Sequence, residues 1–129
     1  MTHPAIEFLQ HLDPSENATF SIEHYIDLPK GLAKPKTDSL SGRYANLTLR
    51  QVTDLLPELQ AINDKDAGIF VAVNRFTGHR KLENLSLVRG IHADMDDITE
   101  DQLAALAKNL KPSIVVQSSS ASRCQIYRL

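Results

Sequence analysis

The chain has 129 residues, 42% of them hydrophobic and 23% charged, with a formal net charge of −2. That is the size and make-up of one globular domain, and it excludes a disordered, collagenous or coiled-coil chain. The longest apolar stretch, Ala67 to Val73, falls far short of the roughly 20 residues that span a bilayer, so no membrane span is expected.

The start, Met1-Thr2-His3-Pro4, has neither the basic residues nor the apolar core of an export signal. The single cysteine, Cys124, has no partner for an internal disulfide. Both features point to a reducing cytoplasm. Aromatics are 5% of the chain and Trp is absent, so the core is expected to be aliphatic.

In chain order, a first helix is predicted over Pro4 to Leu12. Pro4 suits a first helical position, and Ile6, Leu9 and Leu12 share a stripe. Asp13-Pro14 ends it. Thr19 to Ile26 alternates as a half-buried strand, with Phe20, Ile22 and Ile26 on one side and His24 interrupting. Residues 29–46, rich in Pro, Gly, Ser and Lys, read as a basic loop. Thr48 and Gln51 form a capping box that opens a helix to about Asn63, with Pro57 expected to kink or split it. Ile69 to Val73 is an unbroken apolar run, which predicts a central strand buried on both faces and beside the strand carrying Asp94.

Leu85 to Met95 is the next strand candidate. Thr99 and Gln102 form a second capping box. Its helix places Leu103, Leu106, Ala107 and Leu110 on one face and stops at Lys111-Pro112. Ser113 to Gln117 reads as a buried strand. Ser118 to Ser122 is a turn, and Arg123 to Leu129 returns as a strand expected at an exposed edge. Alternating strands and helices that finish in a hairpin give an α+β sandwich, a mixed sheet with flanking helices.

Charge is uneven along the chain. Lys30, Lys34, Lys36, Arg43 and Arg50 face only Asp38 within residues 30–50. Arg75, Arg80, Lys81 and Arg89 face only Glu83 within 75–92. Lys111, Arg123 and Arg128 meet no acid after residue 110. Between the last two stretches lies an acidic knot: Asp94, Asp96, Asp97, Glu100 and Asp101. Such an order suits a metal held against a phosphate, and it equally describes a mixed soluble surface.

Within that knot, residues two apart on a strand project to the same side. Asp94 and Asp96 therefore point together with His92, while Ile91, Ala93 and Met95 are expected to face the core. Asp97 has the wrong parity and begins a turn. Two adjacent carboxylates repel, and a hard divalent cation such as Mg²⁺ or Mn²⁺ relieves the repulsion. The same pair also reads as exposed acids at a strand end. The hairpin Ser118-Ser119-Ser120-Ala121-Ser122-Arg123 offers hydroxyls, turn N–H groups and a guanidinium, the donors an anion needs. Arg123, Gln125 and Tyr127 share one face of its returning strand. Cys124 reads as a small core residue.

Several ordered segments resemble a known family. "GIFVAVN" (68–74), "GHRKLENLSLVRGIHADMDD" (78–97) and "PSIVVQSSSASRCQIYRL" (112–129) are similar to the front part of the archaeo-eukaryotic primase superfamily, in its RepB-like primase and primase-polymerase branch of plasmids and phages. The opening "AIEFLQHLDP" (5–14) and "LQAINDKDAGIFVAVN" (59–74) share the likeness, and residues 27–47 lie outside it.

The resemblance implies an RRM-like catalytic core, of which residues 1–129 would be a single, N-terminal and incomplete part. It implies metal-dependent nucleotidyl transfer on a DNA template. Asp94 and Asp96 would be the catalytic acids and the ligands of Mg²⁺ or Mn²⁺. The family's Ser-x-His motif falls on Ser118 and Ser119, with Gln125 at the histidine position; with Arg123 these residues would bind nucleotide phosphate. Gln125 can donate a hydrogen bond but cannot carry the histidine's charge. Arg75, Arg80 and Lys81 would follow the template backbone. Partners would be single-stranded DNA, nucleoside triphosphates and a helicase or further replication module. The family's third motif is acidic, and no carboxylate follows Asp101, so this chain alone is expected not to make primers. Asp94 to Thr99 also approaches the Asp-x-Asp-x-Thr/Val signature of haloacid-dehalogenase phosphatases, but Ile98 stands where that signature needs Thr or Val.

Overall fold

The computed structural model describes residues 1–26, 28, 31–32, 40–117 and 123–129. The chain forms two compact units, Met1–Leu87 and Val88–Leu129, that combine helices with antiparallel strand pairs in an α+β fold.

In the first unit, α1 (Pro4–Leu12) has the predicted bounds and buries Ile6, Leu9 and Leu12. His3 caps it: the ring Nδ1 accepts the Ala5 N–H at 3.2 Å. Next come β1 (Thr19–Tyr25), β2 (Gly42–Thr48), α2 (Leu49–Asn63) and β3 (Gly68–Val71). The Thr48/Gln51 capping box is formed in both directions, and α2 continues through Pro57. Phe20, 1% exposed, and Val52 anchor a core that joins α1, α2 and the sheet.

The sheet order is β2-β1-β3, all antiparallel. β1 is therefore the central strand, and β3 lies at the edge, in a different sheet from Asp94. The apolar run of β3 misleads because burial within a sheet is set by ladder position as well as by side-chain type. β1 hides two polar residues, Ser21 and His24, which have partners outside the strand. The Ser21 carbonyl accepts the Ala72 N–H, and His24 Nδ1 sits 2.6 Å from the Leu40 carbonyl.

β2 occupies part of the expected basic loop. Its apolar residues, Tyr44 and Leu47, are three apart, which hides the two-residue strand period. A bulge explains the spacing: Ile22 pairs with Tyr44 but Phe20 pairs with Leu47, so two β2 residues oppose the single Ser21. Asn46 takes up the irregularity in a left-handed conformation, φ 56°. Residues 29–30 and 33–39 of that loop lie outside the described residues. A short ribbon of β4 (Arg75–Phe76) and β5 (Leu85–Leu87), with a 3₁₀ turn at Leu82–Asn84, completes the unit.

In the second unit, β6 (Ile91–Met95), α3 (Glu100–Leu110), β7 (Ile114–Gln117) and β8 (Cys124–Arg128) follow in sequence. The predicted strand over 85–95 is thus two strands, separated at Val88–Gly90. The backbone passes very close to β8 at Gly90, where a Cβ would stand 2.5 Å from the Arg128 carbonyl oxygen.

The order β6-β8-β7 makes the last strand central rather than an edge. β6 and β7 are both antiparallel to β8, hence parallel to each other, with α3 as their connection. Cys124, Ile126 and Tyr127 are buried, while β7 is an edge with Val115 46% exposed. Ile91 is 70% exposed and Ala93 is also exposed, so the expected core face of β6 is open except at half-buried Met95. The Thr99/Gln102 capping box forms, but α3 buries none of its residues. Apolar pattern states which face can be buried; it does not supply a surface to bury it against. No helix among the described residues is long and apolar enough to cross a membrane.

Candidate functional site

The β6–β8 ladder gathers the chemistry of the second unit. Asp94 pairs directly with Gln125, and His92 with Tyr127. Residues opposite each other in a ladder share a face, so these four side chains stand on one side of the sheet. Asp96 follows β6 by one residue. Its carboxylate lies 3.6 Å from Arg123 Nε, just before β8 begins. Asp97 then turns the chain with φ 55°, and Thr99 caps α3.

Helix capping accounts for part of the acidic knot. Glu100 and Asp101 occupy the first turn of α3, where carboxylates favour the positive end of the helix dipole. Asp94 and Asp96 have no such role and are exposed.

The polar groups of this end are oriented by one another. The Tyr127 hydroxyl donates to Gln125 Oε1 at 2.7 Å, which fixes the side of the amide that accepts and leaves the NH₂ of Gln125 as a donor. Burial, and then the neighbouring Asp94 charge, push the Tyr127 phenol above its ordinary pKa. The His92 and Tyr127 rings stack at 5.6 Å and 24°. The Asp96–Arg123 pair is solvent-exposed on both sides, and such pairs contribute only about 0–1 kcal/mol. It opens at little cost when a competing cation or anion arrives.

A metal fits the donors at this end only in part. Two exposed carboxylates match the oxygen preference of Mg²⁺ or Mn²⁺ and leave the remaining positions to water or phosphate oxygens. Among the described residues, no group of three or more His, Cys, Asp or Glu side chains gathers as a metal cage. Ser118 and Ser119 lie outside the described residues.

Arg75, Arg80 and Lys81 belong to the first unit. Arg75 is half-buried on β4, and its carbonyl accepts the Ser86 hydroxyl at 3.2 Å. Arg80 and Lys81 are exposed in the following loop. The ion pair and the Tyr127–Gln125 bond were invisible to spacing, because they join segments nearly 30 residues apart or depend on rotamers. Comparison with protein-family models, curated proteins and solved structures found no match.

Proposed function

We propose that the Asp94/Asp96 end of the β6–β8 ladder binds a divalent cation together with a nucleoside triphosphate, as the metal–nucleotide half of a primase-like nucleotidyl-transfer site. The supporting observation is one juxtaposition: the Asp94/Asp96 carboxylates against the phosphate-type donors Arg123 and Gln125. Acid and base of this kind suit a metal–phosphate complex, in which each side chain meets its opposite charge.

Asp94 and Asp96 would hold the cation. Bound Mg²⁺ or Mn²⁺ supplies neutralisation of the triphosphate charge. Arg123 leaves Asp96 and donates to phosphate oxygens, and the Gln125 NH₂ donates a further hydrogen bond. Tyr127 keeps the Gln125 amide in that orientation. Ser118 and Ser119 join the phosphate contacts on the strength of the sequence motif. The template would be single-stranded DNA, and a helicase or further replication module would act beside this chain.

A binding-only role is the second reading. It is favoured by the carboxylate count, since two acids seat one cation and in-line transfer in this superfamily relies on two. The test is titration calorimetry with Mn²⁺ and a nucleoside triphosphate on wild type and on Asp94→Ala/Asp96→Ala. Binding lost in the double variant supports the site. Equal heats from both proteins refute it.

A further inference from the structure

β6 is an open edge of the second unit's sheet. Among the described residues it pairs with β8 alone, and every residue of it but half-buried Met95 is exposed. Such an edge presents a row of unpaired N–H and C=O groups, and natural edges are commonly blunted by Pro, Lys or a bulge. β6 has neither Pro nor Lys, and its ladder with β8 runs from Ile91 to Met95 without a register shift. One face of the edge is apolar. Ile91, 70% exposed, lies there with Ala93 and Met95. Ile91 and Ala93 line an apolar cleft together with Leu110, itself 44% exposed.

The strand is complementary to itself. Two copies of one strand pair antiparallel about a two-fold axis. That axis keeps each face of the sheet with itself, so it passes through a residue rather than between two. Centred on Ala93, the pairing sets Ile91 opposite Met95 and His92 opposite Asp94, each pair occurring twice. Apolar side chains then meet on one face, and on the other an imidazole N–H meets a carboxylate. The His92 ring is held on that face by its stack on Tyr127. Centred on Asp94, the pairing would set two carboxylates against each other, which is destabilising. Centred on His92, it would set Asp94 opposite Gly90, outside the strand.

We propose that β6 pairs with β6 of a second copy of this chain, antiparallel about Ala93, so that two three-stranded sheets become one continuous sheet. The self-complementary order of His92 and Asp94 singles out a second copy as the occupant. Five residues a side make a small interface, so the dimer is weak and is read at about 0.1 mM protein. The proposal does not rest on the metal–nucleotide reading, although Asp94 belongs to both. It is tested without metal or nucleotide, so the two fail separately.

Sedimentation equilibrium of the full chain should give a mass approaching twice 14.4 kDa. Ala93→Arg sets two guanidinium groups opposite each other at the axis and should return the protein to a monomer. Its circular dichroism should be unchanged, because Ala93 is exposed. Cysteine oxidation reads the register through a gain rather than a loss. Directly opposite residues have Cα atoms about 4.5–5.5 Å apart, within disulfide reach. Ala93→Cys should therefore form a covalent dimer on mild oxidation. Ile91→Cys should not, because the two introduced thiols stand about 13 Å apart along the strands. The native Cys124 is buried and should stay reduced in both variants. Three results would each overturn the proposal: a monomeric wild type, a dimer that survives Ala93→Arg and so pairs elsewhere, such as at β7, or cross-linking as strong in Ile91→Cys as in Ala93→Cys.

Discussion

The Asp96 carboxylate and the Arg123 guanidinium stand 3.6 Å apart, so the two acids of the Asp-x-Asp pair are not equivalent. Asp94 faces the neutral amide of Gln125, whereas Asp96 already has a cation beside it. A metal ion bound at this end, as proposed, would compete with Arg123 for Asp96, and a triphosphate would compete with Asp96 for Arg123. On that proposal the two ligands would help each other, because each would remove the partner of the other's side chain.

Arg123→Ala separates these effects. Mn²⁺ alone should bind the variant as well as or slightly better than wild type, since the competing guanidinium is gone. The triphosphate should bind about tenfold or more weakly, the scale of a lost charge-assisted hydrogen bond. Calorimetry with each ligand singly and together measures both. Parallel losses of metal and triphosphate affinity would contradict the exchange.

Primer synthesis and primer extension by this chain alone should be undetectable with Mg²⁺ or Mn²⁺. Two carboxylates would leave a second cation poorly held, and Gln125 would supply no positive charge to the proposed phosphate clamp. The assay runs wild type and Asp94→Ala side by side. Metal-dependent product from wild type that vanishes in the variant would show that two acids suffice, or that a further acid completes the site.

Gly42→Ala should destabilise the first unit by about 1–3 kcal/mol. A Cβ at Gly42 would stand 2.5 Å from His24 Nε2, and the His24 ring is held from its other side by the Leu40 carbonyl. His24→Ala in the same chain opens that space. The double variant should lose less stability than the sum of the single losses, which denaturant unfolding can resolve. Strict additivity would mean that the ring moves aside freely.

Phe20 and Ile91 should differ sharply under the same truncation. Phe20→Ala should cost about 3–5 kcal/mol, because the ring is fully buried between helices and sheet. Ile91→Ala should change stability by no more than about 0.5 kcal/mol, because its side chain is largely in solvent. Thermal or chemical denaturation of the two variants tests the contrast.

Local signals in the sequence determined the helices. Pro4 with its apolar stripe, the Thr48/Gln51 and Thr99/Gln102 boxes, and the Lys111-Pro112 stop act over three or four residues, and α1, α2 and α3 begin, and α3 ends, where these place them. Strand parity likewise aligned Asp94 with His92, and Gln125 with Tyr127. Tertiary structure alone decided which strands are neighbours. The Ile69–Val73 run looked central yet β3 is an edge, and the final strand looked like an edge yet β8 is central. Pairing partners lie tens of residues apart, and their choice depends on loop closure and on the faces available, neither of which a short apolar pattern encodes. For the same reason the Asp96–Arg123 pair and the His92–Tyr127 stack become visible only once ladders bring distant residues side by side.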